Sequence, residues 1–171
     1  TKILITGSNG LLGQNLIELF LKDKNSYEIF GFSRGENRSG RVDFEYQDID
    51  VTNKELLIEK TIQIQPDFII NTAAMTNVDA CENDKKGCFD LNVNVVQNLT
   101  DICSEINAHL IHISTDFIFD GEKGNYTETD APNPLSYYGK TKLLSEEILE
   151  KSTINYTILR TILVYGLVND M

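Results

Sequence analysis

Short apolar runs alternate with longer segments of helical periodicity along this chain of 171 residues. The short runs are typical of strands that are buried on both faces of a sheet. They predict strands at 2–6, 27–32, 43–46, 67–71, 110–114 and 156–160. The longer segments predict helices at 11–21, 53–63, 89–106 and 134–151. Strands and helices that alternate in this way predict one α/β domain over residues 1–171, with a doubly wound, Rossmann-like parallel sheet.

The first predicted strand is followed at once by glycines at positions 7, 10 and 13, and then by a helix. Gly7 would permit the sharp turn out of the strand, Gly10 would let the backbone approach a pyrophosphate, and Gly13 would let the helix pack close to the sheet. The helix N-terminus offers free N–H groups to phosphates. The spacing differs from the Gly-x-Gly-x-x-Gly of many dehydrogenases, so an ordinary strand–turn–helix is the alternative. The flanking strand and helix favour a dinucleotide-phosphate loop.

The second predicted strand ends in Ser33 and Arg34. In a dinucleotide fold, the residue that closes this strand meets the adenosine ribose, where an acidic residue would bind the 2′-hydroxyl of NAD. A hydroxyl and a guanidinium suit a 2′-phosphate instead. The sequence therefore favours NADPH as the cofactor, with NADH as the alternative if Arg34 is an ordinary surface arginine.

A helical spacing of four residues places Tyr138 and Lys142 on one face of the last predicted helix. A nearby ammonium stabilises a phenolate, so we expect Lys142 to lower the pKa of Tyr138 and to make it a proton donor. Tyr137 is the competing donor, but the residue four positions beyond it carries no charge. Ser114, Thr115 and Asp116 lie at the end of the strand at 110–114, where a hydroxyl could donate to a substrate carbonyl or, alternatively, hydrogen-bond to the next loop. Chance Tyr/Lys pairs on exposed helices are frequent, so the pair alone would not indicate catalysis. The polar end of the strand, which includes Thr115, is what favours it.

Two small residues, Ala73 and Ala74, follow the strand at 67–71. They would let the chain pass close to a bound cofactor. A plain turn into the next helix is an equally good interpretation.

The charge and the cysteines restrict the class of protein. The formal net charge of −11 would repel nucleic-acid phosphates, so no nucleic-acid partner is expected. The three cysteines form no Cys-x-x-Cys pair, so we expect reduced thiols and no metal site. No apolar stretch is long enough to span a membrane, and no signal-peptide pattern precedes the first strand. We therefore expect a cytoplasmic protein; the sequence leaves a homodimer open.

Five stretches, taken together, resemble the extended short-chain dehydrogenase/reductases and, among them, the dTDP-4-dehydrorhamnose reductase branch. They are residues 7–13, 71–79, 114–121, 138–142 and 160–166. The resemblance implies reduction of the 4-keto group of a dTDP-linked 6-deoxysugar by NADPH or NADH. Thr115, Tyr138 and Lys142 fall on the family's catalytic positions.

The same resemblance implies further binding residues. Asn9, Leu11 and Leu12 lie in the glycine loop beside the three glycines, and Asp50 and Val51 fall where the family contacts adenine. The residues that it places near the sugar are Val78, Asp79 and Asp116. Family members continue into a small domain that closes over the nucleotide sugar, and we expect this C-terminal substrate lobe to be absent here. The alternatives are a non-catalytic regulatory subunit of the same fold and a sugar-nucleotide epimerase or dehydratase.

Overall fold

The computed structural model describes residues 1–23 and 25–167. Six parallel strands form one sheet in the order β3-β2-β1-β4-β5-β6. The strands are β1 (Lys2–Thr6), β2 (Glu28–Ser33), β3 (Glu45–Asp48), β4 (Phe68–Asn71), β5 (His109–Thr115) and β6 (Tyr156–Thr161). Each predicted strand is present, within two residues of its predicted bounds. The prediction of a Rossmann-like parallel sheet is thus confirmed.

The sheet is covered on both faces, as its apolar strands require. Successive residues of β1 point to opposite faces: Leu4 belongs to one apolar cluster, and Ile3 and Ile5 belong to another. Leu57 and Leu99 come from helices on the first face, whereas Ile17 comes from a helix on the second. All but Ile3, at 4% exposure, are fully buried.

The helices follow the predicted order, with two unpredicted helices added at Val78–Asn83 and Lys85–Phe89 and two further differences. They are α1 (Leu11–Phe20), α2 (Lys54–Ile64), α3 (Val78–Asn83), α4 (Lys85–Phe89), α5 (Val95–Ile106) and α6 (Tyr137–Glu150). The predicted helix at 89–106 is interrupted by a π-helical turn over Asp90–Asn94. The last helix begins at Tyr137 rather than at 134, because the Ser136 side chain caps it by accepting a hydrogen bond from Gly139 N.

None of the helices within residues 1–23 and 25–167 combines the length and the apolar character that a membrane crossing needs.

The order of the strands decides where the site lies. The chain runs outward from β1 to β2 and β3, then returns to add β4, β5 and β6 on the other side of β1. The direction of winding therefore reverses between β1 and β4. In open α/β sheets, ligands bind at the carboxyl ends of the strands beside such a reversal.

Candidate active site

A cleft of about 350 Å³ opens at this reversal. Seven residues that the sequence assigns to the cofactor line it: Gly7, Ser33, Arg34, Asp50, Val51, Ala73 and Ala74. Met75 and Leu91 also line the cleft, although the sequence pattern did not indicate them. The structure thus brings together residues from four separate strand ends, as a bound dinucleotide requires.

Two positions of the glycine turn leave no room for side chains, and the turn leads into a helix N-terminus that could bind a phosphate. Gly7 has φ +70°, and a Cβ there would lie 2.7 Å from the backbone nitrogen of Ala73. A Cβ on Gly13 would overlap the carbonyl oxygen of Gly7. Helix α1 begins at Leu11 without a side-chain cap, so the N–H groups of its first turn, from Leu11 to Gly13, lack intrahelical partners. These groups are free to bind an anion.

Gly13→Ala is expected to destabilise the protein by about 1–3 kcal/mol, because the added methyl group meets backbone that cannot rotate away. Gly10→Ala is the matched control, since its Cβ would approach only one atom, the oxygen of Gly7, at 3.2 Å. Urea denaturation of both variants measures the difference. Equal destabilisation would show that the approach of α1 to the turn is not tight.

Asn9 lies in the glycine turn, but its side chain is engaged with the chain after β2. Its Nδ2 donates to the carbonyls of Arg34 and Glu36 at 3.1 and 2.9 Å, and its Oδ1 accepts from Arg38 N at 3.0 Å. Tyr46 supports the same segment, because its hydroxyl donates to the carbonyl of Gly35 at 2.5 Å. The Asn9 side chain therefore fixes the segment that carries Arg34.

Arg34 itself is free to meet a ligand. Its side chain is 76% exposed, and its Nη1 lies 3.9 Å from Oδ2 of Asp50. Burial opposes ionisation of Asp50, but hydrogen bonds from Thr52 and the charge of Arg34 bring the net pKa of its carboxyl below the ordinary value. An exposed pair of this kind contributes little to stability, so a phosphate could displace Asp50 from the guanidinium.

Tyr138 is buried at the start of α6, beside the end of β5. Burial raises its pKa, and the Thr115 hydroxyl opposes part of that rise. The ring of Phe117 packs edge-on against the Tyr138 ring, with centroids 5.9 Å apart. Thr115, at the end of β5, accepts from Phe117 N at 3.2 Å and donates to Asp116 Oδ1 at 3.3 Å.

Lys142 differs from the expectation. Its side chain is fully buried, and its Nζ donates to the carbonyl of Ile113 at 2.7 Å. The pKa of Tyr138 is raised by burial rather than lowered. The expected lowering of the Tyr138 pKa is therefore wrong for this arrangement of the side chains. A phenol with an ordinary or a raised pKa is protonated at neutral pH, as a proton donor must be.

A row of buried polar side chains crosses the sheet next to Lys142. Thr6, Asn71 and His112 are register partners on the adjacent strands β1, β4 and β5. Thr6 Oγ1 donates to Asn71 Oδ1 at 2.6 Å, and Asn71 Nδ2 lies 3.2 Å from His112 Nδ1. The sequence shows His112 only as a histidine within an apolar strand. Its polar partners come from other elements and could not be inferred from spacing.

A second buried group ties α6 to β6. Glu146, 1% exposed in its side chain, accepts from the Ser114 hydroxyl and from Arg160, whose Nη2 lies 2.7 Å from Oε2. Arg160 also donates to the carbonyl of Glu128 at 3.3 Å and stacks over the Phe119 ring. This pair, which the sequence did not indicate, connects α6 to the long segment between β5 and α6.

That segment borders a second cleft, of about 470 Å³. Two of the three residues expected near the sugar, Val78 and Asp116, line this cleft together with Phe117, Tyr126 and Leu135. Asp79 lies exposed in the first turn of α3, and the structure does not place it on the lining of this cleft.

Asn92, in the π-helical turn, holds the chain between the two clefts. Its Oδ1 accepts from Met75 N at 2.8 Å, and its Nδ2 donates to Met75 O and to Thr141 Oγ1 at 3.0 and 3.1 Å. The loop after β4 is thereby fastened to α6. The π-helical turn carries Asn92 to this contact, and such turns often occur at functional sites.

A glycine turn before a helix, with a cleft at the reversal of a parallel sheet, characterises a Rossmann-like α/β domain of the type that binds dinucleotides. A family model described as the RmlD substrate binding domain matches residues 1–170, and the chain belongs to this family.

Relatives of known name agree with this membership. The chain is 36% identical over 166 residues to the dTDP-4-dehydrorhamnose reductase of Aggregatibacter actinomycetemcomitans. This match covers 96% of this chain and 52% of that protein. It is 32% identical over 165 residues to the methionine adenosyltransferase 2 subunit beta of Bos taurus, over 96% of this chain and 47% of that protein. The chain thus spans about half the length of these relatives.

A solved structure gives the same fold with a nicotinamide cofactor. The dTDP-4-dehydrorhamnose reductase of Bacillus anthracis, solved in complex with NADP, superposes with a TM-score of 0.84 at 28% identity. The match covers 99% of this chain and 56% of that one.

Proposed function

We propose that this chain is the cofactor-binding part of an oxidoreductase that reduces the 4-keto group of a dTDP-linked 6-deoxysugar, with NADPH as the preferred cofactor. The observation that carries the proposal is the cleft where the sheet reverses, together with Tyr138, which is buried at the start of α6 beside the end of β5 that carries Thr115. Two hydroxyls at this point suit a carbonyl oxygen that gains negative charge and then a proton. The names of the relatives support the sugar and the cofactor.

Separate residues would bind the cofactor, bind the carbonyl oxygen and supply the proton. The N–H groups from Leu11 to Gly13 would hold the pyrophosphate of the cofactor at the N-terminus of α1. The bound nicotinamide would supply the hydride to the carbonyl carbon of the sugar. Thr115 would hydrogen-bond to the carbonyl oxygen, and the Tyr138 hydroxyl would give its proton to the resulting alkoxide.

The substrate would approach from the second cleft. Val78 and Asp116 border it, and Asp116 follows Thr115 directly in the chain. This arrangement would place the sugar between the cleft and the two catalytic hydroxyls. Half of the length of the relatives lies outside this chain, so the remaining contacts to the nucleotide would come from residues beyond it.

The reaction is tested with the full-length protein, NADPH and a dTDP-linked 4-keto-6-deoxysugar. The proposal predicts that each NADPH oxidised yields one sugar with a hydroxyl at C4, identified by NMR of the product. A protein that binds NADPH without any such turnover would support the regulatory-subunit alternative and contradict the proposal.

Arg34→Ala is expected to weaken NADPH binding by roughly 10- to 100-fold, because charge-assisted hydrogen bonds to the 2′-phosphate are lost. NADH, which lacks this phosphate, should bind nearly as before. Fluorescence titration of both cofactors measures the two changes. Arg41→Ala is the matched control: it removes the same charge from a side chain that is paired with Asp43 instead. Equal losses for NADPH and NADH in Arg34→Ala would refute the assignment.

A further inference from the structure

The hydrogen bonds around His112 select one protonation state of its ring. Ser145 Oγ donates to the carbonyl of Lys142 at 2.6 Å, so toward His112 Nε2, 2.9 Å away, it can only accept. On the other side, Asn71 Oδ1 accepts from Thr6, which leaves its Nδ2 donating to His112 Nδ1. A neutral ring with its proton on Nε2 satisfies both neighbours. Burial, and then the charge of Lys142, lower the pKa of His112 well below its ordinary value, which agrees with a neutral ring.

This ring presents its N–H edge to Lys142. The Nζ of Lys142 lies 3.2 Å from His112 Nε2 and 2.7 Å from the carbonyl of Ile113. An N–H edge carries partial positive charge, so it opposes an ammonium at this distance, whereas an uncharged amine offers a lone pair to it. The carbonyl accepts from either form of the lysine. The surroundings therefore hold Nζ of Lys142 in one position, whether the side chain is protonated or uncharged.

The charged and titratable groups around Lys142 come from three elements. Glu146 lies one turn further along α6, Cys88 belongs to α4, and His112 belongs to β5. Burial lowers the pKa of Lys142 to about 8, and Glu146 and Cys88 oppose that change. Glu146 is also shared with Arg160 and Ser114, so it is not a dedicated counterion for the lysine.

We propose that His112 is a positioning residue for Lys142: held in one tautomer by Asn71 and Ser145, it keeps the lysine amine against the Ile113 carbonyl and favours its uncharged form. The proposal deepens the proposed function and rests on it in one respect: Tyr138, one turn before Lys142 in α6, gives the proton. In that setting, His112 sets the pH at which the lysine changes charge beside the proton donor, although His112 itself borders neither cleft.

Two variants test the roles of the two ring nitrogens of His112 separately. His112→Gln places an amide N–H near the position of Nε2, and His112→Asn places a polar atom near Nδ1 but leaves nothing near Nε2. The titration of Lys142 is followed in the full-length protein by NMR of ¹³C-labelled lysine, with Lys142→Met identifying the signal. His112→Asn is expected to raise the midpoint by about one pH unit, and His112→Gln to leave it nearly unchanged. The pH dependence of kcat should shift in the same direction as the midpoint in each variant.

The experiment distinguishes positioning from a merely structural role. A structural role would lower the unfolding temperature of both variants without moving the titration of Lys142, and that result would overturn the proposal. If the variants do not fold, ¹⁵N NMR of the unaltered protein reads the ring directly: a proton on Nε2 alone supports the proposal, and a proton on Nδ1 contradicts it. The titration needs no turnover, so a shifted midpoint in a protein that reduces no sugar would refute only the proposed function.

Discussion

Tyr138→Phe in the full-length protein is expected to lower kcat by roughly 10²–10⁴-fold, the usual contribution of a general acid. The change removes the hydroxyl and keeps the ring that packs against Phe117. Cofactor affinity should stay nearly constant, because Tyr138 does not line the cleft that gathers the residues assigned to the cofactor. Steady-state kinetics, together with a cofactor titration, separate the two effects.

Tyr137→Phe is the matched control for this variant. Tyr137 precedes Tyr138 in the same helix, but its ring lies under the ammonium of Lys85, and its backbone N–H donates to Glu82. Loss of the Tyr137 hydroxyl should have a much smaller effect on kcat. If Tyr137→Phe abolishes turnover and Tyr138→Phe does not, the catalytic assignment is wrong.

Arg160→Met is expected to reduce the free energy of unfolding by about 3–5 kcal/mol, because it leaves the carboxylate of Glu146 buried without its cation. Glu146 is 1% exposed in its side chain, so water cannot replace the lost partner. Chemical denaturation measures the change. The variant Lys86→Met provides the control, since it breaks the exposed pair with Asp90 and should cost about 0–1 kcal/mol.

A loss in Arg160→Met no larger than that in Lys86→Met would show that Glu146 is readily hydrated or protonated. The double variant Glu146→Gln with Arg160→Met adds a second check. It removes the buried charge together with its partner, so it should be more stable than Arg160→Met alone.

Much of the fold was predictable because strands buried on both faces leave a strong signal. Short apolar runs such as 67–71 are too brief for typical helices and therefore indicate strands buried on both faces. The cofactor cleft was predictable for a related reason. Parallel strands bring their carboxyl ends to one edge, so residues as distant as Gly7, Arg34 and Ala73 had to meet there.

Helix α6 was the least predictable element, because the face that it buries is largely polar. Lys142, Ser145 and Glu146 are buried, whereas Leu144 is 40% exposed. An apolar pattern would have turned Leu144 inward. The polar face is stable only because β5 and β6 supply its partners, among them His112 and Arg160, and helical spacing carries no information about partners on other elements.

The interrupted helix before α5 has a similar cause. The apolar spacing over 89–106 describes the part that packs on the sheet, and α5 follows it from Val95 onward. The π-helical turn carries Asn92, which binds the backbone of Met75 in a different loop. A contact of this kind between distant segments leaves no periodic trace in the sequence.

The central claim, that the protein transfers a hydride to a keto sugar, is tested most directly with NADPH that carries deuterium in place of the transferable hydrogen. The full-length protein is incubated with this cofactor and a dTDP-linked 4-keto-6-deoxysugar, and the product is analysed by NMR and mass spectrometry. The account predicts one deuterium at C4 of each sugar formed, and the same labelled product, formed more slowly, from Tyr138→Phe. A sugar that is altered without gaining deuterium, with the added NADPH unchanged, would contradict it and indicate an epimerase or a dehydratase.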